Sequence, residues 1–337
     1  MFAFSLCSMQ SPKEKHMEDR KQKLEEVKKD LDKRFGKGTL MLMGQNSENI
    51  QTFPSGSLSL DLILGGGYPK GRIIEIYGPE SAGKSTLALQ AVAQIQKAGE
   101  IAAYIDAEHS LDPVYANKTG VNCSQLWISQ PDSGEQALNI LEALVKTRAV
   151  GLIVVDSVAA LTPQAELDGE MGESHMGLQA RLMSQALRKV TALMAKSNTT
   201  VIFINQIRMK IGTPYGNPET TCGGNALKFY SSVRLEVRKG ELIKKNDEVI
   251  GAKMKIKCVK NKIAPPFGRV ETDLYFDRGI CKHSELCDVG LASGIVKRNG
   301  AWYSFSDLKC AGRDAFISAI SQNPELAQQL EEEIWAM

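Results

Sequence analysis

Long apolar runs are missing from this 337-residue sequence. None approaches the roughly 18 consecutive apolar residues that a membrane-spanning helix needs. The opening stretch, residues 1–9, is too short for the apolar segment of a signal peptide, and no basic residues precede it. These absences argue against membrane insertion and secretion, so we expect a cytoplasmic protein. Translation could begin at Met1, Met9 or Met17.

A strong net charge is missing as well. The 41 lysine and arginine residues nearly balance the 39 aspartate and glutamate residues, for a net charge of +2. Any surface that binds nucleic acid must therefore be local. The seven cysteines are odd in number, scattered and never spaced as C-x-x-C, and the four histidines are dispersed. This pattern argues against a zinc site or a disulfide framework and predicts reduced thiols.

The sequence does contain a phosphate-binding motif. Residues 78–85 read GPESAGKS, after the apolar run 73–77 and before the helix-like run 86–93. A strand, a glycine-bounded loop and a helix start are the context that a G-x-x-x-x-G-K-[ST] match requires. Backbone N–H groups of such a loop face an anion at the positive end of the helix dipole. We therefore expect Lys84 to reach the β- and γ-phosphates of a nucleotide and the Ser85 hydroxyl to bind Mg²⁺.

Strand-like and helix-like segments alternate around this motif. The expected strands are 73–77, 101–106, 126–129, 152–156 and 201–205, and the expected helices are 85–97, 134–146 and 177–197. Such alternation predicts an α/β fold, with a mostly parallel twisted sheet covered by helices on both faces. Three later strand-like runs, 232–238, 252–260 and 269–275, have no helix between them and predict an antiparallel extension.

We expect three parts in the chain. Residues 1–45 contain a leader, a helix at 13–34 and a linker; residues 46–279 form the core; and residues 280–337 form a small mixed α/β domain with a short acidic end. The N-terminal helix carries one apolar stripe at helical spacing, formed by Leu24, Val27, Leu31 and Phe35. This stripe needs a surface to lie on, either the chain's own core or a neighbouring subunit.

Polar side chains follow the ends of these strands, where ligands of parallel α/β sheets bind. Asp156 ends the run 152–155, in the position of an aspartate that orients Mg²⁺ through water. Glu108, in IDAEH, is either a general base for the attacking water or merely a helix cap or lysine partner. Gln206 follows the run 201–205 and is in position to sense a γ-phosphate.

Two long glycine-rich segments are candidates for binding a polymer. The segment 207–225 is basic and contains two prolines, and the segment 166–177 is acidic. Loops longer than about 12 residues in a compact domain are usually functional or disordered. The basic segment predicts a mobile loop that meets an anionic polymer.

These motifs together resemble one family, the bacterial RecA recombinases. The segments GPESAGKS, IDAEH, VVDSVAALTP, GESHMGLQARLMSQALRK, FINQIRMKIG and NPETTCGGNALKFY occur in the order and spacing of that family, over residues 18–320. The resemblance implies a RecA-type P-loop ATPase core, an N-terminal helix that docks on a neighbouring subunit, and a small α/β C-terminal domain.

The resemblance also implies roles for individual residues. Nucleotide contacts would be Gly78, Pro79, Glu80, Ser81, Ala82, Gly83, Lys84, Ser85, Asp112, Tyr115 and Asp156, with Ser85 and Asp156 (through water) on Mg²⁺. Catalytic residues would be Glu108, Lys84, Gln206, Lys260 and Lys262, the last two reaching the ATP of the adjacent subunit. DNA contacts in the loops 166–177 and 207–220 would be Met176, Arg181, Arg208, Met209, Lys210, Gly212, Gly223 and Gly224. Phe229 would contact a neighbouring subunit.

The implied function is ATP-dependent homologous recombination on a helical filament. The partners would be single-stranded DNA, homologous duplex DNA, further copies of the chain and a LexA-type repressor in the SOS response. Two other classes stay open, a hexameric helicase with the same core and a DNA-coating scaffold that binds ATP without turnover. The sequence departs from the family at Cys222, which replaces a common threonine, and in its C-terminal domain. In the C-terminal domain, binding of duplex DNA would depend on Lys297, Arg298, Lys309 and Arg313.

Overall fold

The structure is a computed structural model that describes residues 12–42, 50–170, 173, 177–209, 216 and 218–337. The chain divides into two units, residues Met1–Asn49 and Ile50–Met337. The first unit holds helix α1 (Pro12–Phe35), close to the predicted helix 13–34. The helix ends where Gly36 adopts a left-handed φ of 100°. The apolar side chains of Leu24, Val27 and Phe35 are exposed in this unit, at 62%, 51% and 71%.

The second unit contains the remaining helices and strands. Its helices are α2 (Leu58–Leu64), α3 (Lys84–Lys97), α4 (Pro113–Lys118), α5 (Gly134–Thr147), α6 (Gln164–Leu167), α7 (Leu178–Ser197), α8 (Ala226–Tyr230), α9 (Lys282–Ser293), α10 (Arg313–Gln322) and α11 (Pro324–Trp335). Its strands are β1 (Thr52–Phe53), β2 (Tyr68–Pro69), β3 (Ile73–Gly78), β4 (Ile101–Asp106), β5 (Trp127–Ser129), β6 (Val150–Asp156), β7 (Thr200–Met209), β8 (Glu219–Thr221), β9 (Val233–Lys245), β10 (Glu248–Asn261), β11 (Arg269–Tyr275), β12 (Gly279–Ile280), β13 (Lys297–Asn299), β14 (Trp302–Phe305) and β15 (Leu308–Ala311).

The large sheet has the order β12-β11-β10-β9-β3-β7-β6-β4-β5, with β8 paired to β7. All neighbours from β9 to β5 on this path are parallel. The ends of β3, β4, β6 and β7 therefore meet at one edge of the sheet, where the sequence placed its candidate polar residues. The predicted α/β class with a mostly parallel sheet is confirmed.

Alternation along the strands explains why both sheet faces are covered. In β3, Ile74 and Ile76 belong to the core that contains α3, whereas Ile73 belongs to the core that contains α5 and α7. Strands β6 and β7 divide their side chains between the same two cores. Strands that are buried on both faces are continuous apolar runs in the sequence, and for this reason their positions could be predicted.

The predicted antiparallel extension begins one strand later than expected. Strand β9 pairs in parallel with β3, and only β10, β11 and β12 continue the sheet in antiparallel fashion. The tight turn between β9 and β10 places both Asn246 and Asp247 at positive φ, 50° and 64°. Positive φ at both central residues is typical of the type I′ turn, whose twist matches that of the adjoining strands.

The C-terminal segment has its own small core. The antiparallel sheet β13-β14-β15 lies with α9, α10 and α11 around buried Phe305, Phe316 and Leu330. Its connection to the rest of the unit is both apolar, since Leu58 and Leu62 of α2 belong to this core, and polar, since the buried carboxylate of Glu285 accepts hydrogen bonds from Ser57 Oγ (2.5 Å) and Leu58 N (2.8 Å). In the part of the chain that the structure describes, no helix is long and apolar enough to cross a membrane.

Candidate ATP site and DNA-binding segments

The loop between β3 and α3 has a backbone that only glycine permits at two positions. A Cβ on Gly78 would lie 2.0 Å from the carbonyl oxygen of Val237, which is closer than atoms can approach. Gly83 has a φ of 92°, and a Cβ there would lie 2.9 Å from side-chain atoms of Met254 and Leu274. No side chain caps the N-terminus of α3, which begins at Lys84. Since the N-cap residue Gly83 offers no side-chain acceptor, the N–H groups at this helix start suit an anion.

Lys84 folds back over this loop. Its Nζ donates to the carbonyl oxygen of Pro79 at 2.6 Å, and the residue is only 9% exposed. Burial lowers the pKa of Lys84, and the negative charges of Asp156, Glu108 and Glu80 act in the opposite direction. A bound polyphosphate would add negative charge beside this ammonium group and stabilise its charged form.

Asp156 and Ser85 form the candidate magnesium site. Ser85 Oγ donates to Asp156 Oδ2 at 2.8 Å, and the hydroxyl of Tyr104 donates to the same oxygen at 2.7 Å. Burial raises the pKa of Asp156, while the two hydroxyl donors act to lower it. Both donors are neutral, so they hold the carboxylate in place without cancelling the charge that a cation would use. A hydroxyl and a carboxylate are ligands of the hard type that Mg²⁺ prefers.

Glu108 is held by two side chains from neighbouring strand ends. Its Oε1 accepts a short hydrogen bond from Ser157 Oγ and a second, at 2.9 Å, from Gln206 Nε2. Ser157 follows β6 directly, and Gln206 lies in β7, so both side chains extend from the edge where Asp156 lies. The structure thus brings Lys84, Asp156, Glu108 and Gln206 together at one end of the parallel sheet.

A buried network fixes the backbone beside Gln206. Asn205 Nδ2 donates to Glu75 Oε1 at 3.0 Å and to the carbonyl of Cys222 at 3.1 Å. Arg234 Nε donates to the other oxygen of Glu75 at 2.5 Å, so the buried carboxylate is paired with a cation. Cys222 N in turn donates to the carbonyl of Gln206 at 3.4 Å. Residues 205 and 206 are therefore hydrogen-bonded to both the carbonyl and the N–H of Cys222, at the end of the segment that follows them.

The candidate adenine contacts lie at the start of α4. Asp112 Oδ1 accepts from Val114 N at 2.8 Å and so caps this helix. The hydroxyl of Tyr115 is 2.8 Å from Thr86 Oγ1 in α3. This contact places the Tyr115 ring beside the first turn of the helix that begins at the phosphate-binding loop.

The two candidate DNA-binding segments are described in part. Met176, Lys210 and Gly212 lie outside the described residues. Arg181 is exposed in the first turn of α7. The expectation of one long loop over 207–225 is wrong at both sides, because β7 continues to Met209 and pairs with β8, with Arg208 opposite Thr220. The backbone ladder of this hairpin extends the strand beyond the apolar run that the sequence shows.

Gly223 and Gly224 are packed rather than open. A Cβ on Gly223 would lie 2.8 Å from Val158 Cγ1, and one on Gly224 would lie 2.8 Å from Ala180 Cβ. Both glycines have a positive φ, 76° and 75°. Their expected role as DNA contacts stays a prediction, but their packing shows a second requirement for glycine at the end of this segment.

Lys260, Lys262 and Phe229 lie near the opposite end of β3. Lys260 pairs with Arg234, which is level with Glu75, and Lys262 N donates to the carbonyl of Ser232 at 3.0 Å. Lys260 Nζ donates to the carbonyls of Lys228 and Phe229, at 2.7 and 3.0 Å. These lysines are thus not gathered around the phosphate-binding loop of their own chain. The Phe229 side chain is 73% exposed.

Arg313 has a structural role that the sequence did not predict. It donates to Asp288 through Nε and Nη2, at 2.9 and 2.6 Å, and to Asp273 at 2.9 Å. Arg313 joins α10, α9 and β11. The phosphates of a DNA duplex would have to compete with its two carboxylate partners for the guanidinium group. Lys309 and Arg298, by contrast, lie on the exposed small sheet, beside the rings of Trp302 and Tyr303.

Three polar residues at this site had no signal in the sequence. Tyr104 contacts Asp156, Ser157 contacts Glu108, and Gln179 of α7 contacts three backbone groups from other segments. Tyr104 lies inside an apolar strand, and Ser157 directly follows the predicted strand-end aspartate. Ser157 and Gln179 lie inside the segments VVDSVAALTP and GESHMGLQARLMSQALRK, but nothing in these segments assigns a role to either side chain.

The loop, the uncapped helix start and the strand-end carboxylates define a P-loop ATPase with a parallel α/β core. Sequence profiles match the RecA N-terminal domain over residues 22–281 and the RecA C-terminal domain over residues 284–337. The chain therefore belongs to the RecA family.

Individual relatives agree with this assignment. The chain is 58% identical to Protein RecA of Treponema denticola over 322 residues, covering 94% of this chain and 78% of that protein. It is 58% identical to Protein RecA of Bacteroides thetaiotaomicron over 304 residues, covering 89% and 92%. A crystal structure of the RadB recombinase aligns with a TM-score of 0.52 at 26% identity, covering 67% of this chain and 97% of that one. The protein is a RecA-type recombinase.

Proposed function

We propose that this recombinase assembles as a helical filament on single-stranded DNA, pairs that strand with a homologous duplex and exchanges the strands. ATP hydrolysis to ADP and phosphate then drives turnover of the filament. The observation that best supports this function is the hydrogen bond between Gln206 and Glu108. It connects the candidate base to the strand that leads into the basic segment, so that nucleotide state and DNA contact can influence each other.

The hydrolytic step follows from the side chains at the sheet edge. The N–H groups at the start of α3 and the Lys84 ammonium group would hold the β- and γ-phosphates. Glu108 would take a proton from the attacking water, provided that its carboxylate turns from Ser157 and Gln206 toward that water. Gln206, once released, is free to donate its amide N–H to a γ-phosphate oxygen.

The site also fits a magnesium ion. Ser85 Oγ would bind the cation directly and Asp156 would orient it through water, and the bound ion would neutralise charge on the phosphates. The two oxygens already lie 2.8 Å apart, at the carboxyl end of β6 and the start of α3. Because burial raises the pKa of Asp156, cation binding would favour the ionised form of that carboxylate.

Filament assembly would place ATP between subunits. The phosphate-binding loop follows β3, whereas Lys260, Lys262 and Phe229 lie toward its beginning. If these lysines reach a nucleotide, it must belong to another chain, so the interface joins two different surfaces. A head-to-tail interface of this type that does not close produces an open helix. The exposed apolar stripe of α1 would add a second contact with a neighbour.

DNA contacts would be made mainly to the backbone. Arg181 and Arg208 are exposed at the borders of the two segments 166–177 and 207–220. Phosphate contacts weaken as salt rises, while base pairing between the strands would supply the sequence specificity. A DNA substrate is consistent with action in the cytoplasm. Self-cleavage of a LexA-type repressor on the filament, in the SOS response, is part of the same proposal.

The test is ATP turnover without DNA, with single-stranded DNA and with duplex, each at two salt concentrations. We expect turnover that depends on single strands and weakens at the higher salt. Lys84→Ala should remove turnover, because it removes the ammonium group at the phosphates.

Arg148→Ala is a control, since this cation is exposed at the C-terminus of α5, a helix that carries none of the proposed site residues. Equal turnover with and without DNA would contradict the recombinase proposal and leave a generic RecA-core ATPase. Unwinding of a forked duplex would indicate a helicase, and ATP binding without turnover would indicate a scaffold.

A further inference from the structure

Gln179, the second residue of α7, joins three segments of the chain. Its Nε2 donates to the carbonyls of Val158 and Leu161, at 2.8 and 3.2 Å, and its Oε1 accepts from Gly223 N at 3.2 Å. The backbone fixes the orientation of the amide, because a carbonyl only accepts and an N–H only donates. One side chain therefore binds backbone groups of two segments that are far apart in sequence, residues 158–161 and Gly223.

Each of these segments leads directly to part of the proposed machinery. Val158 and Leu161 follow the end of β6, immediately after Asp156 and Ser157. Gly223 ends the basic segment, and α7 itself begins where the acidic segment ends. Gln179 thus lies where the exits of both candidate DNA-binding segments meet the strand that carries the magnesium carboxylate.

The end of the basic segment is held on its other side by the γ-phosphate sensor. Asn205 Nδ2 donates to the carbonyl of Cys222, and Cys222 N donates to the carbonyl of Gln206. The peptide between Cys222 and Gly223 is therefore bonded through its carbonyl to Asn205, the residue before the sensor Gln206, and through its N–H to Gln179. A shift at either end must move this peptide or break one of the two bonds.

Close packing prevents the peptide from moving independently. Space for a Cβ on Gly223 is already filled by Val158 and by Met183 of α7, at 2.8 and 3.2 Å. Gly224 packs in the same way on Ala180, at 2.8 Å. Packed elements of this kind move as units and do not deform continuously.

We propose that Gln179 is a positioning residue that makes the two DNA-binding segments respond together to the nucleotide at the sensor. Its loss reduces the cooperativity between ATP and single-stranded DNA and changes intrinsic binding of either ligand much less. This inference rests on the proposed function, since it requires that the two segments bind DNA.

The experiment measures the coupling between the two ligands. The dissociation constant of a fluorescent oligothymidine is determined by anisotropy, with and without a non-hydrolysable ATP analogue and Mg²⁺, and the ratio of the two constants is the coupling factor. We expect Gln179→Met, which keeps the length and loses all three bonds, to lower this factor by about 3- to 10-fold. Gln179→Glu keeps the acceptor for Gly223 N but sets a carboxylate oxygen against the carbonyls of Val158 and Leu161, so it should also lower the factor.

Gln185→Met is the matched control, because Gln185 is exposed on the same helix. Reciprocity provides a second readout, since the DNA must change the affinity for the analogue by the same factor. In a Gln206→Ala background, which lacks the sensor amide on Glu108, Gln179→Met should have no further effect on the coupling factor, because the nucleotide then no longer acts on the peptide that Gln179 holds.

A purely structural role predicts a different result. It would lower DNA affinity equally with and without the analogue and leave the ratio unchanged, which would overturn the inference. If Gln179→Met does not fold, Gln179→Glu decides, and an unchanged ratio in that variant likewise overturns the proposal. A wild-type ratio of one would instead contradict the proposed function itself, so the two failures are distinguishable.

Discussion

Neutral donors hold the carboxylates that have to act at the ATP site. Asp156 accepts from the hydroxyls of Tyr104 and Ser85, and Glu108 accepts from Ser157 and the Gln206 amide. A lysine or arginine in these places would compete with Mg²⁺ or with the proton to be removed. Glu75, which takes no part in the chemistry, is the carboxylate paired with an arginine.

Asp61 shows the opposite arrangement, a buried carboxylate that forms no ion pair within the part of the chain that the structure describes. It accepts from Ser55 N at 2.8 Å, and burial raises its pKa from 3.8 to about 7, with a contribution from the nearby charge of Glu285. The folded protein thus binds this proton more tightly than the unfolded chain. The stabilisation is complete below pH 3.8 and is lost as the pH rises through about 7.

We therefore predict that Asp61→Asn is more stable than the wild-type protein, and that this difference is larger at pH 8 than at pH 5. The amide keeps an acceptor for Ser55 N and cannot ionise. The upper limit of the gain between these two pH values is about 3 kcal/mol, because about two pKa units of the shift lie between pH 5 and pH 7, at 1.36 kcal/mol each. Chemical denaturation at the two pH values measures the difference.

Asp132→Asn, at an exposed position of the same unit, serves as the control and should show no such dependence on pH. An equal free energy of unfolding for Asp61→Asn and wild type at pH 8 would show that the folded protein tolerates the ionised carboxylate.

Sequence motifs could locate the residues that would bind the nucleotide but not the side chains that hold those residues in place. Lys84, Ser85 and Asp156 were predictable because a phosphate-binding loop and an apolar strand ending in a carboxylate have a local signature. Ser157 and Gln179 were not, because each owes its role to a partner from a distant segment, and a single serine or glutamine carries no such information.

At the scale of elements, apolar runs fixed the strands but not their pairing. Strands β4 and β11 coincide with the predicted ranges, since burial of both faces or strict alternation is visible locally. The extension of β7 to Met209 and the whole of β8 were missed, because the three pairs of their short ladder mix apolar and polar side chains and show no local pattern. Backbone hydrogen bonding alone defines such a hairpin, and no side-chain pattern predicts it.

Two variants in the C-terminal domain distinguish a residue that stabilises the fold from a residue that would bind duplex DNA. Arg313→Ala should destabilise the protein by about 2 to 3 kcal/mol, because it leaves Asp273, which is 4% exposed, without its cation. Lys309→Ala removes an exposed cation and should leave the unfolding midpoint nearly unchanged while weakening duplex binding. Thermal unfolding and duplex titration at one salt concentration distinguish the two effects.

One outcome for Arg313→Ala and Lys309→Ala would contradict both predictions. If Arg313→Ala keeps its unfolding midpoint and Lys309→Ala keeps its affinity for duplex, then the ion pairs contribute little and the exposed sheet does not capture DNA.

At the scale of the whole molecule, exposed apolar side chains indicate where copies of the chain would meet. Phe229 is 73% exposed at the end of α8, and its carbonyl accepts a hydrogen bond from Lys260. Phe229→Ala should leave the stability of the single chain nearly unchanged, because little of the ring is buried. It should reduce filament formation by at least 10-fold, as expected for an aromatic anchor at an interface.

Light scattering with single-stranded DNA and an ATP analogue measures this effect. Leu242→Ala provides the control, since Leu242 is 47% exposed on the β9–β10 hairpin, away from α8. Equal loss of scattering in both variants would point to a general effect of removing apolar surface.

The position of β3 in the sheet has a consequence for synthesis on the ribosome. This strand ends at Gly78, but both of its neighbours are made much later, β7 ending at Met209 and β9 at Lys245. At about 5–20 residues per second, on the order of 10 to 30 s separates the strand from its second partner. Until β7 has been made, the apolar strand before the phosphate-binding loop has neither neighbour, and until β9 has been made it has only one. The nascent chain therefore gains the ability to bind nucleotide late, when most of it has been translated.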